Sequence, residues 1–375
     1  MHCPHRHRDI LLLTSGVLAI VVGLSGLLLR YFLPASVKDV QQSDFQNSEA
    51  YLGTLVPVEN WNRIISIQSG DIFIAGLRSN GTVLVDVIPL VYRESGLENY
   101  YASLYDVSSW NGIRKISAGG YTLIGLRNDG TVLCVGNTSM AEAMCDWTDI
   151  VDISTSGLHT VGIKKDGTIL SASPGVDPEQ SEYPLQLDPS WRGVKSIKTY
   201  AFPPMGVATL AFGKDGTFLN TEQKYRDVYT DYWNTVALRN DGSTEVLSNE
   251  GSDFPYVTWT NLKQLTFFRS SYETLIGLHE NGTVSISGDE SLGEELSTWS
   301  NIERILCLDN HCYEYPNLNH GWSYIVGIQK KGTVKVVGTY PIDVSGWSDI
   351  IDVVASQDHL VGLRRNGTTA VAICS

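Results

Sequence analysis

Eight short turns of the form Asx-Gly-Thr divide this chain, and each follows a short apolar run. The turn glycines are Gly81, Gly130, Gly167, Gly216, Gly242, Gly282, Gly332 and Gly367. Lys331 replaces the Asx residue in one turn, and Ser243 replaces the Thr in another. An Asx-Gly pair between β-rich runs predicts a hairpin with a type I′ turn, in which both central residues have positive φ. Eight such hairpins in series indicate a repeat architecture.

A Trp residue opens seven of the eight units, with aliphatic residues three and six positions later. The residues are Trp61, Trp110, Trp147, Trp191, Trp259, Trp299 and Trp347, and Glu222 takes this place in the fifth unit. Five residues before each turn glycine stands Gly or Ala, which indicates a close approach to the backbone, for example between sheets packed around a narrow axis. The runs are short and β-branched, so we interpret each unit as four antiparallel strands and not as helices.

Radial repetition of such units predicts an all-β propeller of about eight four-stranded blades, with seven as the alternative. The fourth strand is expected at residues 106–110 and 343–347, for example. Residues 54–61 resemble a fourth strand without a unit before it, and pairing with the last hairpin would close the ring. Only a third strand fits between Gly216 and Tyr225, so we expect the fourth unit to lack its outer strand.

Residues 147–168 carry the motif most fully, from Trp147, Ile150 and Ile153 to Gly167-Thr168. This segment resembles the regulator of chromosome condensation repeat. The resemblance covers roughly residues 54–375 and is nearest to the compact bacterial type, similar to the propeller-type β-lactamase inhibitor protein. It implies a propeller fold, and it raises inhibition of a secreted enzyme or nucleotide exchange on a small GTPase as functions to consider.

The N-terminus predicts a membrane segment, because residues 10–33 are almost wholly apolar and about 20 apolar residues suffice to span a bilayer. We expect a short cytoplasmic N-terminus at residues 1–9, an uncleaved transmembrane signal-anchor at 10–33, a linker at 34–50 and the propeller at 51–375. Arg6 and Arg8 favour a cytoplasmic N-terminus and an extracytoplasmic propeller in a single-pass cell-membrane protein. Secretion after signal cleavage is the alternative.

Charge and cysteine usage limit the partners. The formal net charge of −14 argues against a nucleic-acid partner, although a local basic patch stays open. Cys134 and Cys145, and likewise Cys307 and Cys312, are close enough in sequence for disulfides in an exported protein, with reduced thiols as the alternative. The cysteine spacing matches no zinc site, and no motif indicates a cofactor, so we expect neither a metal nor a cofactor.

Catalytic motifs such as Gly-x-Ser-x-Gly do not occur in the globular region. His159 and His359 share a repeat position with Thr122, Thr274 and Tyr324, and we interpret them as structural. The expected function is therefore a non-enzymatic, membrane-anchored, extracytoplasmic module that binds a protein or a cell-wall glycan. An inhibitor or regulator of a secreted enzyme and an enzyme with a site at the propeller axis are the alternatives.

The large insertions fall at residues 86–105, 174–187, 198–207 and 306–323. In an up-and-down blade all of these loops lie on one face. Aromatic residues suit recognition because they give a large contact area at low entropy cost. The candidate partner-binding residues are Tyr92, Tyr100, Tyr101, Tyr105, Tyr313, Tyr315 and Trp322. Simple capping of the loops is the alternative.

Overall fold

The computed structural model of the chain divides into two units, Met1–Leu55 and Val56–Ser375. It describes residues 57–87, 103–157, 159–173, 191–202, 206–213, 215, 217–219, 221, 223–230, 234–249, 258–269, 273–310, 322–356 and 359–373. The expected membrane segment at residues 10–33 and the linker at 34–50 lie outside these ranges. Within them, no helix has the length and apolar character needed to cross a membrane.

The described strands, β1 to β25 in chain order, form eight antiparallel sheets, numbered here 1 to 8. Sheets 1 to 4 contain β1–β3 (Ile64–Ser69, Phe73–Arg78, Val83–Val87), β4–β6 (Ile113–Gly119, Thr122–Arg127, Val132–Val135), β7–β9 (Ile150–Thr155, Thr160–Lys164, Ile169–Ala172) and β10–β13 (Val194–Phe202, Gly206–Gly213, Thr217–Phe218, Gln223–Lys224). Sheets 5 to 8 contain β14–β16 (Asp227–Thr230, Asn234–Leu238, Thr244–Asn249), β17–β19 (Leu262–Arg269, Glu273–His279, Val284–Ser287), β20–β22 (Ile302–Asn310, Trp322–Gln329, Val334–Gly338) and β23–β25 (Ile350–Ser356, His359–Arg364, Thr369–Ile373). Each sheet corresponds to one sequence unit, so the all-β repeat prediction is confirmed.

The outer strand is where the prediction was wrong. Among the described residues, seven sheets have three strands, and only sheet 4, which was expected to lack its outer strand, has a fourth. The 3-10 helix Tyr105–Ser109 stands where a strand was expected. Helices α1 (Thr138–Ala143) and α2 (Gly293–Ser297), the latter after the 3-10 helix Glu290–Leu292, occupy equivalent places. The Asn137 side chain accepts the Met140 N–H at 3.1 Å, and this N-cap favours helix over strand.

Sheets 1 and 8 are in contact, as the predicted ring closure requires. The segment before Trp61 is the 3-10 helix Val58–Asn60 and not the expected strand; residues 54–56 lie outside the described ranges. The Val58 N–H donates to Asp86 Oδ2 of sheet 1 at 2.8 Å, and the Val58 carbonyl accepts the Thr369 hydroxyl of sheet 8. Side chains from both sheets share one hydrophobic cluster around the buried Trp61.

In six sheets, the glycine of the second strand makes room for the Trp ring of its own unit. A Cβ atom on Gly125 would lie 2.6 Å from Trp110 Cζ3, well inside van der Waals contact. The same arrangement recurs at the pairs Gly76–Trp61, Gly162–Trp147, Gly277–Trp259, Gly327–Trp299 and Gly362–Trp347. The close approach predicted from the sequence is therefore real, but a Trp ring and not a neighbouring sheet makes it.

Candidate binding surfaces

Each tight turn is held by the side chain that precedes its glycine. Asp166 Oδ1 accepts the Thr168 backbone N–H at 2.9 Å and its hydroxyl at 2.7 Å. The Gly167 N–H donates to the Lys164 carbonyl at 2.8 Å, and Gly167 has a φ of +86°. The Asx residues of the described turns do not have positive φ, so these are three-residue loops with a left-handed glycine and not type I′ turns. The same side-chain bonds form at Asn80, Asp129, Asp241, Asn281 and Asn366.

The turn of one sheet is hydrogen-bonded to the first strand of the next. The Gly130 carbonyl accepts the Ile150 N–H at 3.0 Å, and the Asp149 carbonyl accepts the Lys165 N–H of its own sheet at 2.8 Å. Equivalent bonds join Gly81 to Ile113, Gly242 to Leu262, Gly282 to Ile302, Gly332 to Ile350 and Gly367 to Ile64. The turns and the residues that follow the Trp positions therefore form a continuous surface, which we call the turn face.

The residue two positions after each Trp adopts a left-handed backbone conformation. These residues are Arg63, Gly112, Asp149, Gly193, Asn261, Asn301 and Asp349. A shift in strand register follows immediately in each of the seven Trp-containing sheets, which indicates a β-bulge at the start of the first strand. Sheet 5, which lacks the Trp, also lacks this shift between β14 and β15. The Trp and the bulge thus belong to one local structure.

Charged side chains on the first strands pair between neighbouring sheets. Arg304 of β20 contacts Asp352 of β23 at 2.8 Å, and Lys115 of β4 contacts Asp152 of β7. Burial raises the pKa of Asp352, and the Arg304 guanidinium partly offsets this effect. Within the described ranges, no cluster of three or more His, Cys, Asp or Glu side chains could hold a metal ion.

His159 is a buried histidine beside the start of β8, with 2% of its surface exposed. Its Nδ1 contacts the Ser173 hydroxyl, whereas its Nε2 has no hydrogen-bond partner in the structure. Burial lowers the pKa of His159 to about 4, so the ring is neutral at physiological pH. The equivalent residue His359 is only half-buried. The two histidines therefore have different surroundings although they share a repeat position.

Of the seven predicted recognition residues, only Tyr105 and Trp322 lie within the described residues. Tyr92, Tyr100, Tyr101, Tyr313 and Tyr315 lie outside the described residues. Tyr105 begins the 3-10 helix Tyr105–Ser109, and Trp322 is the first residue of β21. The insertions at residues 198–207 and 306–323 lengthen the β10–β11 and β20–β21 hairpins, whose strands run to eight or nine residues.

The Cys134–Cys145 disulfide considered from the sequence does not form, because Cys134 is a free thiol. Cys134 packs beside the cluster that contains Met140 and Trp147, whereas Cys145 is exposed, so the two side chains face different surroundings. Burial raises the pKa of the Cys134 thiol to about 12. Cys307 packs against the cluster around Trp299, and Cys312 lies outside the described residues.

Basic side chains concentrate on the turn face, a feature that the sequence reasoning missed. The position three before the turn glycine holds Arg or Lys in five units: Arg78, Arg127, Lys164, Arg239 and Arg364. Arg63, Lys165, Lys195, Lys330, Lys331 and Arg365 are exposed on the same face. Alignment of the eight turns would have revealed this ring of charge, which the net charge of −14 conceals.

A family model described as the regulator of chromosome condensation (RCC1) repeat matches residues 113–140. This segment contains all of sheet 2, from β4 through β5 and the turn at Gly130 to β6, and the start of α1. The other sheets carry the same Trp, small-residue and turn positions with variations. Among curated proteins, none matches the chain in sequence.

Several solved structures are similar at low sequence identity. The computationally designed Ika8 protein is 13% identical, with a TM-score of 0.46 over 84% of this chain and 97% of that one. YCF48 bound to D1 peptide is 13% identical, with a TM-score of 0.36 over 86% and 95%. Yeast RCC1 (Prp20) bound by Kap60 is 12% identical, with a TM-score of 0.30 over 60% and 56%. These scores are too low to establish a common fold, so the architecture stands on its own sheets and contacts. Residues 113–140 thus match the RCC1 repeat, and the other antiparallel sheets of the chain follow the same pattern of residues.

Proposed function

We propose that the chain is an eight-bladed, non-enzymatic binding module, anchored at a bacterial cell membrane by residues 10–33 with residues 51–375 outside the cytoplasm. The linked turns are the observation that supports this proposal. Because six of the described turns bond to the next sheet, the backbone that carries the surface side chains is held in place before any partner arrives. Such preorganisation lowers the entropic cost of binding.

The partner in this proposal is a protein or a cell-wall glycan. The candidate anchors lie in sequence insertions that connect strands of the described sheets: Tyr100, Tyr101, Tyr313 and Tyr315. Loops held by a scaffold of strands are common at binding sites. Inhibition or regulation of a secreted enzyme is the alternative function. In that case the same tyrosine-bearing insertions would bind a secreted enzyme.

Localisation is tested with intact cells that express the full chain with a C-terminal epitope. We expect the epitope to be degraded by external protease, and the anchored chain to stay in the membrane fraction after alkaline carbonate extraction. A shortened chain in the medium would indicate signal cleavage instead. Protection of the epitope until the cells are lysed would place the propeller in the cytoplasm and contradict the proposal.

Binding is tested with the full chain, purified in detergent and immobilised, against cell-surface proteins and isolated cell-wall glycan. Tyr100→Ala/Tyr101→Ala and Tyr313→Ala/Tyr315→Ala should each weaken capture by about 2 kcal/mol or more if these residues anchor a partner. The control is Tyr340→Ala, a change at an exposed tyrosine outside the insertions. Saturable capture of neither class would contradict the proposed function. Loss of activity of a captured enzyme, including a β-lactamase, would favour the inhibitor alternative.

A further inference from the structure

The turn face carries a patch where exposed apolar and basic side chains alternate. Ile65 and Val151 are 57% and 38% exposed, although most large apolar residues of the described chain are buried. Both stand four residues after a Trp, and Arg114 and Lys195 hold this position in sheets 2 and 4. The four residues therefore follow one another across sheets 1 to 4. We call them, together with Arg63, the Ile65–Val151 patch.

Arg114 is fixed at the centre of this patch. Its Nε donates to the Arg127 carbonyl at 3.3 Å, and one terminal nitrogen donates to the Ile150 and Val151 carbonyls at 3.1 and 2.9 Å. These bonds link sheets 2 and 3, and they leave the other terminal nitrogen without a bond to the described residues. A guanidinium that is already held in place loses little side-chain entropy when it meets a carboxylate.

The positive charge around the patch is not neutralised locally. Several acidic residues of the turn face are engaged already: Asp166 in its own turn, Glu280 with Arg226 and Glu303 with Lys263. By contrast, Arg63, Lys165 and Lys195 form no ion pair with any described acidic residue. A partner with carboxylates would therefore find unpaired positive charge there, on a protein whose overall charge is negative.

We propose that the Ile65–Val151 patch binds an acidic protein segment that also carries apolar side chains. The inference rests on the proposed binding function and names the surface and the chemistry of one partner. Exposed Ile and Val favour a protein over a nucleic acid, because a phosphate backbone offers them nothing to bury.

The test uses the full chain in detergent and labelled peptides of equal length, followed by fluorescence anisotropy. We expect a peptide of alternating Glu and Leu to bind and to be weakened by salt, and Glu-Ser and Gln-Leu peptides to bind less tightly. Ile65→Ser/Val151→Ser and Arg63→Gln/Lys195→Gln should each weaken binding about tenfold or more. The matched controls are Ile373→Ser, at an apolar residue of similar exposure on β25, and Lys335→Gln on β22.

Four results would overturn the inference. If the Glu-Ser peptide binds as tightly as the Glu-Leu peptide, apolar contacts do not contribute to binding. If both patch variants bind the Glu-Leu peptide with unchanged affinity, the peptide binds elsewhere on the protein. Tighter binding of single-stranded DNA or of phosphatidylglycerol vesicles, abolished by the same variants, would assign the patch to another class of partner. If sedimentation shows oligomers that the patch variants dissociate, the occupant is a second copy of this chain.

The cell-surface capture described above separates the two proposals. If the patch variants capture the same partner as the unaltered chain, the patch inference fails and the binding function stands. If the unaltered chain captures nothing, the binding function fails even where the peptide binds.

Discussion

Arg63 is the residue that fits its backbone conformation least well. It has a φ of +58°, and the equivalent residues in the other Trp-containing sheets are Gly, Asn or Asp. These three residue types tolerate the left-handed region better than Arg does. We expect Arg63→Asn to raise the free energy of unfolding by up to about 1 kcal/mol, measured by urea denaturation. The reverse control is Gly112→Ala, which should lower it by about 1 kcal/mol; a loss of stability in Arg63→Asn would contradict the argument.

The Trp–Gly contact gives a second prediction for single residues. Gly125→Ala should destabilise the protein by about 1–3 kcal/mol, because the new methyl group would overlap the Trp110 ring. In the Trp110→Leu background the same change should cost much less, since the ring is absent. Additive losses in this double-mutant cycle would show that the two residues are not coupled.

Much of the repeat could be predicted from individual residues in the sequence. The turn glycines, the Trp positions and the small residue could be predicted because each satisfies a local steric demand that recurs in every unit. The residue that meets Gly125 could not be predicted, because the bulge that brings Trp110 over it arises only when the sheet forms. The basic residues three before five of the turn glycines could have been found by aligning the turns, but the total charge of −14 conceals them.

The turns, taken as elements, should depend on pH. The hydrogen bonds that the carboxylates accept lower the pKa of Asp129 and Asp241, mainly through the Thr131 and Ser243 hydroxyls, and of Asp166, mainly through the Thr168 N–H. A pKa lowered in the folded state means that the unfolded chain binds protons first as the pH falls. This part of the stability is therefore present above about pH 4 and is lost below it.

The triple variant Asp129→Asn/Asp166→Asn/Asp241→Asn should lose less stability between pH 5 and pH 3 than the unaltered chain, as measured by urea midpoints. Asn fits these turns, because Asn80, Asn281 and Asn366 make the same bonds. Burial raises the pKa of Asp86 and Asp352, which pushes stability the other way, but these residues are common to both proteins. Identical losses in the two proteins would rule out a role for the turn carboxylates.

The outer elements were the least predictable. A segment between the third strand and the next Trp has only to span a fixed distance, so its sequence is weakly constrained. Asn137 begins α1, whereas residues 105–109 form a 3-10 helix, and the extra strand β13 appears in sheet 4. The first three strands of a unit could be predicted because they contain short apolar runs next to turn signals, and the second strand is buried along nearly its whole length, as in β2 and β5.

For the whole molecule, the contact between sheets 1 and 8 is the most informative place to intervene. Thr369→Val removes the hydroxyl that donates to the Val58 carbonyl, which then keeps only the bond from the Trp61 N–H at 3.2 Å within its own sheet. We expect a loss of about 0.5–1.5 kcal/mol in the free energy of unfolding, the usual contribution of one hydrogen bond. Hydrogen exchange should accelerate in both β1 and β23, which lie far apart in sequence. Thr333→Val, at an exposed turn, is the control, and faster exchange in sheet 8 alone would show that Val58 does not couple the two sheets.

In six of the described turns, the glycine carbonyl accepts a hydrogen bond from the sheet that follows. A residue added to such a turn would displace two sheets at once. The connection after a third strand takes the form of a 3-10 helix, an α-helix or an extra strand within this one chain. In evolutionary terms, the turns between second and third strands are held to a fixed length, while the connections after third strands are free to diversify. A lineage of such proteins can therefore change its loops without rebuilding the scaffold beneath them.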